Sequence, residues 1–138
     1  MTTLNHIVAI TPAPRQKTIR PRDAASLLAH RCRNNEHEVL MGRRPLASRF
    51  MPGVYVFPGG AVEAQDRYVR PATALTADIT HSLKVAGSAA RARAMAVSAV
   101  RETFEETGLI LGAPGDPQMP DDPTWSAWAD LCLAPDLG

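Results

Sequence analysis

Aromatic residues are scarce, 5% of the 138 residues. Proteins that bind single-stranded nucleic acid stack bases on aromatic side chains, and little of that material is present. An excess of one charge is also missing. Fifteen Lys and Arg stand against 14 Asp and Glu, a net charge of +1. That balance argues against nucleic acid as a partner. Cysteine is nearly absent: Cys32 and Cys132 lie far apart and match no metal or redox spacing. They read as reduced thiols of a structural kind in a cytoplasmic protein. No apolar run approaches the ~18 residues of a membrane span. The N-terminus lacks the charged segment and long apolar core of a secretory signal. No membrane partner is expected.

What is present describes an ordinary globular chain, 45% hydrophobic and 21% charged. Its length suits one domain with a sizeable core. Residues 1–22 carry Arg15, Lys17, Arg20 and Arg22, no acid, and Pro12, Pro14 and Pro21. The prolines spoil an amphipathic helix, so this stretch reads as a flexible N-terminal arm. A short extended piece is conceivable at His6–Ile10. The folded domain is expected over 23–138.

Ala24 to His30 is an apolar run of strand length. Asn34-Asn35 marks a turn, and Glu38 to Arg43 reads as the returning strand of a hairpin. His30 and His37 flank that turn and read as exposed or hydrogen-bonded rather than ligating. A basic, proline-punctuated loop follows, with Arg44 and Arg49. Val54–Phe57 is a short strand that runs into Pro58-Gly59-Gly60. Two glycines after a strand let the backbone approach a ligand closely. Residues 61–87 show no period, apart from a short helix expected near Leu75–Leu83. From Ser88, an N-cap residue, the composition turns Ala-rich, and one helix is expected over Ala89–Thr107. Leu109–Leu111 reads as a strand. After a proline-rich break, Thr124–Leu133 reads as a last helix capped by Asp122 or Thr124. Trp125 and Trp128, at i, i+3, read as packing residues.

The long helix ends in Arg101-Glu102-Thr103-Phe104-Glu105-Glu106-Thr107-Gly108-Leu109. At about 100° per residue, Val97, Val100 and Phe104 share one stripe. Glu102 and Glu106 fall roughly opposite it, with Glu105 on a neighbouring part of the acidic face. These acids crowd the negative end of the helix dipole, and Glu102 and Glu106 repel at i, i+4; each effect costs a few tenths of a kcal/mol. Stability alone does not favour them there. Three carboxylates within one turn make a hard oxygen site of the kind Mg²⁺ or Mn²⁺ takes, with waters left over for substrate phosphates. The same residues would also serve as a solvated acidic face with an Arg101–Glu105 bridge.

Gly60, followed downstream by Arg101-Glu102-x-x-Glu105-Glu106-x-Gly108-Leu109, resembles the signature box of the Nudix hydrolases. In that family Gly is followed by five residues, Glu, seven residues, then Arg-Glu-x-x-Glu-Glu-x-Gly and an aliphatic residue. The second half matches at every defined position, and Phe57-Pro58-Gly59-Gly60 is similar to the usual opening. The middle departs from the pattern. Asp66 stands where Glu is expected, with Glu63 the nearest glutamate. Residues 67–100 separate Asp66 from Arg101, 34 residues where the pattern has seven, an insertion of 27 placed at about 67–93. Closing so long a loop costs little, because the entropy grows only logarithmically. Peroxisomal-type coenzyme A diphosphatases, a branch of the family, look like this. The stretch Leu40-Met41-x-x-Arg44 to Arg49, Gly53 and Phe57-Pro58-Gly59-Gly60 is similar to the element that precedes the box in that branch. Pro45 and Ser48 depart from it.

The resemblance implies an α/β fold, a Nudix-type α/β/α sandwich with a mixed sheet. With only 26 residues after Gly112, the second half of that sandwich is expected to be missing. It implies metal-dependent hydrolysis of a diphosphate in a nucleoside diphosphate derivative, coenzyme A or acyl-CoA first. The products would be 3′,5′-ADP and (acyl-)4′-phosphopantetheine. Glu102, Glu105 and Glu106 would hold Mg²⁺ or Mn²⁺, with the Gly59 carbonyl as a further ligand. Arg101 would orient a glutamate, Glu105 first. Arg44, Arg49 and Gly60 would meet the small-molecule nucleotide substrate. A different Nudix substrate (ADP-ribose, a dinucleotide or an NTP), a non-catalytic nucleotide- or protein-binding module, and a homodimer stay open.

Overall fold

A computed structural model describes residues 21–83, 88–115, 118 and 120–138. The arm expected over 1–22, with its His6–Ile10 piece, lies outside the described residues up to residue 20. Among the described residues, eight short strands, three α-helices and a 3-10 turn follow in order. They are β1 (Ala24–Ser26), β2 (His30–Arg33), β3 (Glu36–Val39), β4 (Gly42–Arg43), β5 (Tyr55–Val56), β6 (Gly59–Ala61), the 3-10 turn Gln65–Arg67, α1 (Ala77–Ser82), α2 (Ala89–Thr107), β7 (Gly112–Pro114), α3 (Pro123–Asp130) and β8 (Leu133–Pro135).

The fold is α/β, as expected. Its described strands pair two by two, β1 with β6, β2 with β3, β4 with β5 and β7 with β8, and every pair is antiparallel. Among the described residues these pairs stand in place of the one mixed sheet the resemblance implied. Only β2 and β3 are joined by a tight turn, which dictates an antiparallel ladder; the other pairs are closed by longer connections.

The expected hairpin forms around Asn34 and Asn35, at φ 52° and 65°, the left-handed pair a two-residue hairpin turn requires. The single strand expected over Ala24–His30 divides. Ser26 pairs with Gly59 and the Leu27 amide donates to the Pro58 carbonyl, after which the chain leaves for β2. The strand expected over Glu38–Arg43 divides as well, because its first part pairs with β2 and its last with β5. No strand forms over Leu109–Leu111; β7 begins at Gly112, opposite Pro135.

α2 spans the residues expected. The Ser88 hydroxyl accepts from the Arg91 amide at 3.3 Å at one end. Gly108, at φ 74°, ends the helix in the left-handed conformation, its amide donating to Phe104 O at 2.7 Å. Small residues on its buried side, Ala92, Ala94 and Ala99, let it lie close to β1 and β6. Val97 and Val100 join Val69, Trp125, Trp128 and Leu137 in the core. Phe104 meets Trp128 edge-to-face at 6.0 Å between ring centroids. The Trp pair is therefore packing, as its spacing predicts. Val69, inside the expected insertion, belongs to the same core, so that segment is partly structural. α3 begins and ends earlier than expected, with Asp122 as N-cap and Pro123 in its first turn. Cys32 and Cys132 are both exposed, so neither thiol is a core residue.

Candidate active site

The site grows from the last two turns of α2. Arg101 points inward and is 1% exposed. Its Nε donates to Asp66 Oδ1 at 2.9 Å and its Nη2 to Asp66 Oδ2 at 3.3 Å. Nη2 also donates to the Ala61 carbonyl at 3.0 Å, and Nη1 to Glu105 Oε2 at 3.0 Å. Glu102 Oε1 lies 3.1 Å from the same Nη1. Burial opposes the Arg101 charge, but the hydrogen bonds and charge of Asp66 outweigh it and hold the guanidinium above its ordinary pKa. Asp66 is fully buried, and its Oδ2 also accepts from the Glu63 amide at 2.8 Å.

Asp66 is thus the principal partner of Arg101. Its sequence signal was its place six residues after Gly60; the insertion that follows obscured the role. Residues 67–100, 34 in all, separate the two partners, and the chain returns to Asp66 through α2. The expected Arg101–Glu105 contact is present as well.

The glycine turn meets the acidic face. A Cβ on Gly60 would collide with the Glu102 carboxylate, and one on Gly59 with the Ala25 carbonyl and the Ser26 backbone. At Gly59, where the obstacle is backbone, only glycine permits this approach; at Gly60 the Glu102 carboxylate would have to give way. The Gly59 amide donates to Glu106 Oε2 at 3.2 Å. Glu102 and Glu106 therefore both abut the Gly59-Gly60 backbone. The pKa of Glu102 is raised, first by burial, with Glu105 and Glu106 adding to the effect and Arg101 opposing it. Glu105 is held from a further side: its Oε1 accepts from the Thr124 hydroxyl at 2.9 Å. The sequence suggested only a capping role for Thr124.

Among the described residues, no three acidic, His or Cys side chains already converge on one metal-sized point. Arg101 draws Glu102 and Glu105 toward itself, and the three like charges repel. The donor chemistry still fits a hard divalent cation. Three carboxylates stand within one helical turn, two of them against the backbone of the glycine turn, and all are oxygen donors.

Arg44 and Arg49 stand on the β4–β5 loop. The Arg44 amide donates to Val54 O at 2.9 Å, and its Nε to Phe50 O at 3.0 Å, so Arg44 braces its own loop. Arg49 is exposed. Neither hydrogen-bonds to the glutamates among the described contacts. His30 and His37 are exposed on the hairpin.

Comparison with known proteins fits this geometry. The crystal structure of a NUDIX hydrolase from Alicyclobacillus acidocaldarius superposes with a TM-score of 0.56 at 34% identity, over 85% of this chain and 57% of that one. The acyl-coenzyme A diphosphatase NUDT19 of Gallus gallus is 33% identical over 126 residues, covering 75% of this chain and 33% of that protein. The chain belongs to the Nudix hydrolase superfamily. Its similarities fall on the coenzyme A diphosphatase branch: NUDT19 of Xenopus laevis is 32% identical over 104 residues, or 58% of this chain and 27% of that protein. The chain spans about a third of the length of the curated relatives it matches. No protein-family model matches it. No helix among the described residues is long and apolar enough to cross a membrane.

Proposed function

We propose that this Nudix chain hydrolyses the diphosphate linkage of coenzyme A or acyl-CoA, releasing 3′,5′-ADP and (acyl-)4′-phosphopantetheine. One observation carries the reading: the Gly59-Gly60 backbone lies against Glu102 and Glu106, in a frame held by Arg101 and Asp66. Residues 23–138 act as one Nudix-like domain in this reading, and its substrate class suits a cytoplasmic protein.

Glu102, Glu105 and Glu106 would hold Mg²⁺ or Mn²⁺, with the Gly59 carbonyl as a further ligand. When bound, the cation supplies charge neutralisation at the diphosphate and a more acidic water. The residues of the chain do the rest. Arg101 orients Glu105 and steadies Glu102. Asp66 holds Arg101 in place. The bare backbone of Gly59 and Gly60 lets a phosphate come close. Arg44 and Arg49 supply positive charge to the phosphates of the substrate, which a guanidinium binds in a bidentate manner.

A second reading is a different nucleoside diphosphate derivative such as ADP-ribose. It is favoured by Arg44, whose Nε is already committed to the Phe50 carbonyl. Hydrolysis of coenzyme A, an acyl-CoA and ADP-ribose, with and without Mg²⁺ or Mn²⁺ and with products resolved by chromatography, separates the two. Metal-dependent release of 3′,5′-ADP is expected. Turnover of ADP-ribose alone would support the second reading. Binding without turnover of any of them would make the chain a binding module.

A further inference from the structure

Three helices begin with a capping side chain, and in two of them the cap is a hydroxyl. Thr76 Oγ1 accepts from the Ile79 amide, and Ser88 Oγ from the Arg91 amide. α3 differs. Its cap is the Asp122 carboxylate, which accepts from the Thr124 amide at 2.9 Å. The Thr124 hydroxyl is therefore released from capping. It reaches instead across to α2 and donates to Glu105 Oε1 at 2.9 Å. The other oxygen of Glu105 accepts from Arg101 at 3.0 Å. One carboxylate is thus gripped on both oxygens, from its own helix and from an element 19 residues downstream.

The grip on the α3 side is firm. Trp125 and Trp128, the adjacent and next-turn residues, are fully buried, and Trp128 packs on Phe104 of α2. The first turn of α3 cannot shift without moving those rings. A carboxylate offers about four acceptor directions, so two hydrogen bonds fix its orientation and leave directions free for a cation.

We propose that Thr124 is a positioning residue for Glu105, holding its carboxylate ready for the divalent cation and coupling the site to the docking of α3. The inference rests on Glu105 being a metal ligand. Hydrogen bonds of this supporting kind orient ligands, and their loss costs about 10- to 100-fold in metal affinity or activity.

The test uses the full chain with Thr124→Val, which keeps the shape and removes the hydroxyl, and Thr124→Ser, which keeps the hydroxyl. Mn²⁺ affinity is read by electron paramagnetic resonance, beside kcat and KM, with circular dichroism reporting the fold. Thr124→Val is expected to weaken Mn²⁺ binding by about 10- to 100-fold, and Thr124→Ser to bind as wild type does. In a Glu105→Gln background, Thr124→Val should have no further effect. Should Thr124→Val not fold, Thr124→Ala removes the same hydroxyl and carries the test. Wild-type Mn²⁺ affinity in a folded hydroxyl-free variant, with Glu105→Gln impaired, would overturn this inference alone. Unchanged affinity in Glu105→Gln would overturn the metal reading and this inference with it.

Discussion

Arg101 lies in the interior with its guanidinium donating to Asp66, Glu105 and a backbone carbonyl. Arg44 and Arg49 sit on the β4–β5 loop, where one braces the loop and the other faces solvent. The two regions use the same residue type in opposite ways. Arg101 is consumed by the protein and gives the acidic face its shape. The loop arginines leave charge at the surface, which the proposed reading assigns to an anionic substrate. Substitutions in the first region should therefore act on every substrate and on the fold itself. Those in the second should act on selectivity.

The sharpest break in that comparison comes from the acids that Arg101 serves. Glu105→Gln and Glu106→Gln are expected to abolish turnover while leaving α2 formed, with hydrolysis assays and circular dichroism on the same samples. Retained activity in both would sink the metal-site assignment. Next in size is Asp66→Ala. It leaves the buried Arg101 charge without its main partner, a loss of about 3–5 kcal/mol, to be read from urea unfolding. A smaller effect is expected on the loop. Arg49→Ala should change stability by no more than about 0.5 kcal/mol, as surface substitutions do. Its kcat/KM should fall selectively for coenzyme A over ADP-ribose, and Arg44→Ala should show the same bias with some loosening of the loop.

The smallest effect lies at the far end of α2. Arg91 Nε donates to Asp23 Oδ2 at 2.7 Å, tying the helix to β1. The hydrogen bond from Arg91 holds the Asp23 pKa below its ordinary value. The stabilisation is then present above the ordinary carboxylate range and lost as pH falls through the lowered folded value. Arg91 is exposed and Asp23 only half-buried, so salt screens the pair. Asp23→Asn should lower Tm slightly at neutral pH. That difference should shrink in acid and in high salt.

Much of the candidate site was legible in the sequence because its signals are local. Ser88 and Gly108 bound α2 by capping chemistry, and the 3.6-residue period sorted Val97, Val100 and Phe104 from the acids. The Asn34-Asn35 turn and the Gly59-Gly60 approach were readable for similar reasons. Long-range partners were not. Nothing near Asp66 says that a chain leaving it will return at Arg101, 35 residues on. The Thr124 hydroxyl was hidden because a threonine at a helix start ordinarily caps, and only the structure shows Asp122 doing so. β8 went unread because Pro135 argues against a strand; it is tolerated at the end of a two-stranded ladder. The divided strands were missed because an extended run does not announce that it changes partner midway.

The most direct test of the central claim is a Mn²⁺ titration of the full chain, followed by electron paramagnetic resonance, beside Glu106→Gln. The proposed metal site predicts saturable binding by the wild type and its loss in the variant, because Glu106 stands against the Gly59 amide. Equal binding by both proteins, or none by the wild type, would contradict it.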